Sequence, residues 1–272
     1  MYKSLSILVA ATLIALHPAA QVVAKENIKV ILASEVNWEP LNPARGDKSP
    51  LAATLWGNRN GIMATGFLVK FVDGFSSPPH IHNVSYRGIV IDGHIHNDDP
   101  NAEKMWMPSG SFWTQPAGDI HVTAAKGEYN LAYIEIDNGP YLVHSTDDAF
   151  DNAERPVNID KSNIVWIRRS IASSSDEIAL AYLWGTPDNS QSYGVLVKIP
   201  AGLAMDIHSN GTIFHAVVVE GQISYQPDKE AKHSMIPGSY FNNKNDSPGR
   251  IYANQESIIY VRTNGKLAYS RE

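Results

Sequence analysis

A repeat with a constant spacing of 128 residues runs through the chain. The segment LWGNRNGIMATGFLVKFVDG at residues 55–74 matches LWGTPDNSQSYGVLVKIPAG at residues 183–202. Chance matches would scatter in offset, whereas the same offset relates eight pairs: Trp38 and Trp166, Trp56 and Trp184, Gly66 and Gly194, Lys70 and Lys198, Gly74 and Gly202, His80 and His208, Gly93 and Gly221, and Gly110 and Gly238. Self-similarity at a fixed period is typical of repeated structural units, so we predict two copies of one domain.

The two copies are expected at residues 26–150 and 155–272. Between them, STDDAFDNAERPVNIDKSN at residues 145–163 is polar and has no apolar period, which is typical of a linker. A chain of 272 residues has ample length for two such cores.

Short apolar segments rich in Val, Ile, Tyr and Phe recur in both copies and predict β-strands. They are GFLVKFV, YRGIVIDG, YNLAYIEI, YGVLVKI, FHAVVVEG and ESIIYVRT, each bounded by Gly, Pro, Asn or Asp. The segment SSSDEIALAYLWG allows a short helix, but its repeat mate SPLAATLWG favours a strand there. The predicted fold class is therefore all-β, with two small barrels or sandwiches in tandem.

The first copy carries two motifs of defined spacing. GFSSPPHIHNVSYRGIVIDG, residues 74–93, places His80 and His82 six and eight positions after Gly74; GSFWTQPAGDIHVTAA, residues 110–125, places His121 after a Pro-x-Gly turn. Both spacings resemble the two characteristic motifs of the cupin superfamily. The whole chain is similar to a double cupin, close to an uncharacterised family of exported bacterial proteins. This resemblance implies two tandem cupin barrels of the double-stranded β-helix, or jelly-roll, type.

The motif spacing also has a chemical reason. Alternate residues of a strand point to one face, so His80 and His82 can supply two imidazoles to one ion, while His121 arrives from a distant strand. Three neutral imidazoles suit a divalent transition metal such as Fe, Zn, Ni, Cu or Mn. We therefore predict one metal site formed by His80, His82 and His121.

Two positions depart from the cupin pattern. Where cupins usually carry a glutamate ligand this chain has Tyr86, and the final Asn position of the second motif is Ala125. A phenol is a poor ligand unless deprotonated, and its reference pKa is about 10. We expect a three-His site with Tyr86 as a catalytic or substrate-side hydroxyl. A carboxylate from elsewhere, such as Glu103 or Glu128, is the alternative fourth ligand.

A second His-x-His pair, His94 and His96, is expected to face outward and bind no metal. The repeat maps it to Gln222 and Ser224, while Ile95 between the two histidines maps to Ile223. An apolar residue present in both copies is expected to face the core, which turns its neighbours toward solvent.

The second copy loses most of the predicted ligands. His208 is present, but the positions of His82, Tyr86 and His121 become Asn210, Phe214 and Gly249. We expect this degenerate cupin to bind no metal and to serve packing, dimerisation or pocket closure.

Other aromatic and basic residues of the motif strands have simpler expected roles. Trp106, Phe112 and Trp113 are expected in the core, because large aromatic residues dominate the burial of small barrels. Arg87 and Lys126 are expected to be solvated charges at strand edges.

The N-terminal sequence predicts that the protein is exported. Lys3 is followed by an apolar run from Leu5 to Leu16, then Pro18 and small residues up to Ala24, which predicts a signal peptide over residues 1–24. The run is too short to span a bilayer. Since the chain has no cysteine, a lipid-anchored form is excluded, and we expect a periplasmic or secreted protein without disulfides.

The net charge of the chain limits the kinds of molecule that we expect it to bind. Removing residues 1–24 takes away one lysine and no acid, so the net charge moves from −6 to −7. This balance, without a basic run, argues against nucleic acid. We expect a small organic molecule as partner, no membrane, and a homodimer as an open alternative.

Three functions remain open from the sequence. The first is a small-molecule metalloenzyme of oxygenase type, which resemblance to three-His cupin oxygenases implies. The alternative is a non-enzymatic cupin that binds or senses a small ligand and uses the metal structurally. A storage role is a weaker third possibility. One scaffold hosts many functions, so the fold alone does not choose.

Overall fold

Antiparallel β-strands account for nearly all of the regular secondary structure in the described part of the chain. The computed structural model describes residues 28–171, 174–187, 191–227, 230–243 and 248–271. The predicted signal peptide lies outside these residues. The all-β prediction is confirmed, because within the described ranges the helical elements are three short 3-10 turns at Pro43–Lys48, Thr146–Asp148 and Lys161–Asn163.

The strands follow in chain order. They are β1 Val30–Ile31, β2 Glu39–Pro40, β3 Leu51–Trp56, β4 Met63–Phe71, β5 Ile81–His82, β6 Tyr86–Asp98, β7 Met107–Pro108, β8 Phe112–Gln115, β9 Val122–Asn138, β10 Val143–His144, β11 Val157–Ile159, β12 Ile167–Ser170, β13 Glu177–Trp184, β14 Tyr193–Ile199, β15 Ala204–Ser209, β16 Phe214–Glu220, β17 Ile223–Gln226, β18 His233–Met235, β19 Tyr240–Asn242, β20 Gly249–Ala253, β21 Ser257–Thr263 and β22 Leu267–Ser270. All six predicted apolar segments are strands, and the segment that allowed a helix forms β13.

The strands form two cupin-type barrels. In the first barrel an eight-stranded sheet has the order β11-β8-β6-β9-β4-β3-β2, with β7 paired to β6, and a two-stranded sheet pairs β10 with β5. In the second barrel the sheets have the orders β1-β19-β16-β21-β14-β13-β12 and β18-β17-β20-β15-β22.

Each barrel contains a strand that lies outside the part of the sequence predicted to form it. β1 precedes the first barrel in the chain but pairs with β19 of the second, through Val30 opposite Phe241. β11 lies within the predicted linker and pairs with β8 of the first barrel, through Asn158 opposite Trp113. The two barrels are therefore joined by sheet hydrogen bonds as well as by the chain.

Two long strands, β6 and β9, form an antiparallel pair that runs through the bend of the first barrel. They pair from Tyr86 opposite Ile136 to Asp98 opposite Val122, with register shifts around Asp92. Gly93 sits at this irregularity with φ of 73°, and a Cβ there would lie 2.2 Å from the Asn130 side chain, so the position requires glycine.

Three apolar clusters stabilise the arrangement. One fills the second barrel around Val195 and Ile207, and another fills the first around Phe67 and Trp113. The third combines residues of both barrels, such as Leu55 and Tyr260, so the barrels share a buried interface. No helix in the described ranges is long and apolar enough to span a membrane.

Candidate metal centre

The backbone brings the two histidine motifs together. His80 and His121 form an isolated antiparallel bridge, in which each N–H donates to the other's carbonyl at 3.1 and 3.0 Å. His82 follows in β5, and its carbonyl accepts from the N–H of Gly118 at 2.8 Å. Gly118 has φ of 76°, and a Cβ there would meet the Phe150 carbonyl at 2.4 Å. The Pro-x-Gly turn thus holds the second motif against the first.

The three predicted ligands converge on one point. One ring nitrogen from each of His80, His82 and His121 lies within 4.8 Å of the other two. The ring centroids are 5.0 Å apart for His80 and His82, 4.3 Å for His80 and His121, and 5.2 Å for His82 and His121. His82 and His121 are buried, and His80 is partly exposed.

Backbone carbonyls orient all three rings. The Nδ1 atoms of His80, His82 and His121 lie 3.0, 3.0 and 3.1 Å from the carbonyl oxygens of Pro78, Leu142 and Asp119. A carbonyl only accepts, so each Nδ1 carries the proton and each Nε2 presents its lone pair. Metal-binding histidines usually donate their second ring nitrogen in this way. The residues therefore fit a metal held by three Nε2 atoms.

Burial keeps these imidazoles neutral. It lowers the pKa of His121 to about 3, with a further contribution from His80. Burial, followed by the neighbouring His121 and His80, holds the pKa of His82 well below its usual range, and burial lowers the pKa of His80. Neutral imidazole is the form that binds a metal.

Two tyrosines border the three histidines. The hydroxyl of Tyr86 lies 3.4 Å from Nε2 of His121, and that of Tyr141 lies 3.2 Å from Nε2 of His82. Burial raises the pKa of both phenols, so both stay protonated at neutral pH. Tyr141 also stacks on His82, with centroids 4.4 Å apart.

A buried chain of polar side chains fixes Tyr86. Its hydroxyl donates to Oδ1 of Asn97 at 2.9 Å, which also accepts from Thr123 at 2.7 Å. The Asn97 amide donates to Gln115 at 2.8 Å, and Gln115 in turn donates to the Asp119 carbonyl at 3.2 Å. Since the Tyr86 proton is directed at Asn97, the phenol oxygen presents lone pairs toward the histidines.

A largely apolar cavity of about 270 Å³ lies over the site. His80, His82 and Tyr86 form part of its wall. Its apolar lining residues include Val69, Phe71, Phe75, Trp113 and Ile134, and its polar ones include Arg45, Thr123 and Tyr141. The site thus combines a confined cavity with a few converging polar groups, which is the usual form of a small-molecule site.

The alternative carboxylate ligands do not reach this site. Glu103 and Glu128 are both exposed, and among the described residues the group around His80 contains no carboxylate.

The outward orientation predicted for the second His-x-His pair is correct for His94 and wrong for His96. His94 is exposed, whereas His96 is buried against Trp106 with centroids 6.2 Å apart. β7 pairs with β6 and brings Trp106 over this face, so both faces of the strand are covered at Ile95 and His96. The predicted alternation of core-facing and solvent-facing residues along β6 therefore ends at His96.

The structure also corrects the role expected for Arg87. Its guanidinium pairs with Asp137 at 2.7 Å and lies 3.7 Å from the ring centroid of Trp184 in the second barrel. It is an interface residue, because the second barrel covers the strand edge. Lys126 is exposed, as expected, and Phe112 and Trp113 lie in the core.

Aromatic side chains fill the matching region of the second barrel. Gly249, 128 positions after His121, has no side chain, and a Cβ there would lie 2.3 Å from the Tyr225 ring. Tyr225 stacks on Phe241 at 4.0 Å, and Phe214 lies 6.1 Å from Phe241.

The strands and the histidines together define a cupin-type fold with a candidate three-histidine metal centre in one barrel. A sequence model of the family described as "Domain of unknown function (DUF4437)" matches residues 29–270, and the chain belongs to this family. None of the curated proteins matches the chain.

Several solved structures share the fold. A proposed dioxygenase from Nostoc punctiforme PCC 73102 is 12% identical, with a TM-score of 0.65 over 88% of this chain and 83% of that chain. Salicylate 1,2-dioxygenase from Pseudaminobacter salicylatoxidans is 13% identical, with a TM-score of 0.60 over 92% and 88%. AerE from Microcystis aeruginosa is 12% identical, with a TM-score of 0.56 over 84% and 97%. These likenesses establish the fold.

Sequence reasoning missed Arg45, Asn97 and Tyr141. Asn97 ends the second His-x-His segment but belongs to no motif, and its partners Tyr86 and Gln115 lie on two other parts of the sheet. Tyr141 comes to the site only because β10 folds back onto β5. No spacing rule predicts either contact.

Proposed function

We propose that this protein is a metal-dependent enzyme of oxygenase type that acts on a small organic molecule. The observation that carries the proposal is the convergence of three Nε2 lone pairs, each oriented by a backbone carbonyl, beneath a confined cavity. The dioxygenase descriptions of two structures with this fold support the reaction type.

The three histidines would hold a divalent transition metal, with iron as the first candidate. Such a metal, when bound by three protein ligands, keeps coordination positions open for small molecules and supplies Lewis-acid or redox chemistry. The cavity walls would exclude bulk water and hold the substrate over the open side.

Tyr86 is the proposed catalytic residue of this chain. Its oxygen lies at the edge of the histidine cluster, and Asn97 and Thr123 fix the direction of its proton. The phenol would accept a hydrogen bond from a substrate hydroxyl, or donate its proton to a substrate oxygen when the Asn97 contact is exchanged.

Elemental analysis and oxygen uptake test the proposal together. We expect about one transition-metal ion per chain in natively purified protein, and oxygen consumption with at least one member of a broad panel of small organic molecules. His121→Ala should abolish both, whereas His94→Ala, at an exposed histidine, should leave both unchanged. Stoichiometric iron without oxygen uptake would favour the non-enzymatic binding function. Absence of metal from protein supplied with iron, zinc, nickel and manganese would contradict the site itself.

We also propose that the protein is exported, on the evidence of residues 1–24 alone. In a bacterial host the full chain should appear in the periplasmic or secreted fraction with an N-terminus near Lys25. A chain lacking residues 1–24 should stay in the cytoplasm. Equal distribution of both forms would contradict export.

A further inference from the structure

Arg45 places a permanent positive charge in the wall of the cavity over the histidines. It lies on the 3-10 turn Pro43–Lys48, with its Cζ atom 5.5 Å from the ring centroid of Phe75. Arginine remains protonated throughout the pH range of proteins.

Arg45 has no carboxylate partner within the described ranges. Seven of the nine arginines of the chain form an ion pair with Asp or Glu there, and Arg45 is not among them. An unpaired guanidinium beside a largely apolar cavity is unusual in a chain that has 28 acids against 22 lysines and arginines.

The cavity is free of acids. None of the described residues that line it is Asp or Glu, whereas its wall includes Arg45. The other lining groups are aromatic and aliphatic side chains, the imidazoles of His80, His82 and His144, the Asn42 amide and a few hydroxyls. The electrostatic character of this cavity therefore favours an anion, and its walls favour an apolar body.

We propose that the cavity binds a small, flat, mainly apolar organic acid whose carboxylate pairs with Arg45. The apolar part would lie against Phe71, Phe75 and Trp113, with its far side toward the histidines. This inference rests on the function proposed above, since it names the substrate class of the same site.

Size and geometry favour a monocarboxylate over other anions. A volume of about 270 Å³ lies just below the usual range of about 300–1,000 Å³ for small-molecule sites, so a single ring or a short branched chain fits. The planar guanidinium matches a planar carboxylate through two parallel hydrogen bonds. A phosphate dianion would carry more charge than one guanidinium offsets and would lose more hydration in apolar walls.

Matched pairs of acid and neutral isostere test the inference. Isothermal titration calorimetry would measure benzoate against benzamide, and cyclohexanecarboxylate against its amide. The proteins would be wild type, Arg45→Gln, Arg45→Lys and, as a control, Arg169→Gln at an exposed arginine of the second barrel. Each protein would be measured zinc-loaded and after chelation, because a bound metal also attracts carboxylates.

We expect wild type to prefer each acid over its amide by about ten-fold or more, as a charged hydrogen-bonded pair provides. The preference should persist after chelation, fall to near one in Arg45→Gln, survive in part in Arg45→Lys, and remain in Arg169→Gln. Unchanged zinc content and melting temperature in Arg45→Gln would show that the variant is folded.

The two proposals fail separately. If no acid binds wild type more tightly than its amide, or if Arg45→Gln keeps the preference, the inference is wrong even where metal binding and oxygen uptake are found. If the preference depends on Arg45 but the wild type binds no metal, the inference stands as a carboxylate site and the proposed function is wrong.

Discussion

The hydroxyl of Tyr141 donates a hydrogen bond to Nε2 of His82 over 3.2 Å. Its direction follows from the other ring nitrogen, because Nδ1 of His82 already donates to the Leu142 carbonyl. The hydroxyl thus contacts the very lone pair that would bind the metal. Tyr141 and a metal ion would compete for the same nitrogen atom.

Removing this hydroxyl should therefore tighten metal binding. We expect Tyr141→Phe to raise zinc affinity several-fold, because a hydrogen bond of about 0.5–1.5 kcal/mol no longer has to break. The phenylalanine ring keeps the stacking on His82. Competition with a zinc-sensitive dye would measure the change.

Tyr86→Phe is the matched control. Its hydroxyl proton goes to Asn97 and not to His121, so zinc affinity should change little, while the oxygen uptake expected from the proposed function should be lost. Equal zinc affinity in Tyr141→Phe and wild type would show that the Tyr141 hydroxyl moves away at no cost.

Metal binding should stabilise the first barrel measurably. A ligand at a thousand-fold excess over its Kd adds about 4 kcal/mol to the free energy of unfolding. We expect zinc to raise the melting temperature of wild type and of His94→Ala, but not that of His82→Ala. An equal rise in all three proteins would mean that zinc binds elsewhere.

His215 should make the second barrel acid-sensitive. Burial, together with the charge of Arg262, lowers the pKa of His215 to about 3, while its ring stacks on Trp56 at 4.0 Å. Between about pH 6.5 and pH 3 the unfolded chain binds a proton here that the folded chain does not. His215 therefore does not lower the free energy of unfolding above about pH 6.5. As the pH drops from there toward 3, the free energy of unfolding falls by at most about 1.4 kcal/mol per pH unit.

His215→Phe should remove this dependence and keep the stacking. Urea unfolding at pH 7, 5.5 and 4.5 would show a shallower loss of stability in the variant than in wild type. Tyr240→Phe removes the hydroxyl 2.8 Å from Nδ1 but leaves the histidine, so its pH dependence should match wild type. Parallel curves for wild type and His215→Phe would contradict the assignment.

Local pattern was enough to predict the strands and the histidine cluster. His80 and His82 share a face through strand alternation, and the spacing of the second motif places His121 opposite His80. These relations depend on short stretches of chain and one antiparallel bridge. The 128-residue repeat and the domain limits at 26–150 and 155–272 stay predictions.

Contacts made by the other barrel or by returning loops could not be predicted. Arg87 looks like an edge charge in sequence because its partner Trp184 lies on the second barrel. His96 looks solvent-facing until Trp106 covers it. The pairing of β1 with β19 places Val30 and Ile31 in the second barrel, although they precede the first barrel in the chain. No period in the sequence indicates this pairing.

A buried carboxylate links the two barrels and allows a final prediction. Glu135 of the first barrel accepts hydrogen bonds from Tyr133 and from Tyr260 of the second, and pairs with Arg262 at 3.4 Å. Glu135 and Arg262 are 1% and 5% exposed, so removing Glu135 leaves the buried guanidinium with only the half-exposed Asp137 as its charge partner. We expect Glu135→Ala to lower the free energy of unfolding by about 3–5 kcal/mol in urea titrations.

Asp137→Ala is the control for this ion pair, since Asp137 contacts the same arginine but its side chain is 49% exposed. Asp137→Ala should lower the free energy of unfolding clearly less than Glu135→Ala does, because water can replace the Asp137 carboxylate. Replacing both Glu135 and Arg262 by Leu and Met should recover much of the loss caused by Glu135→Ala, since no buried charge remains unpaired. If the double variant is as unstable as the sum of its single variants, the two side chains are not energetically coupled and the interface depends on its apolar contacts.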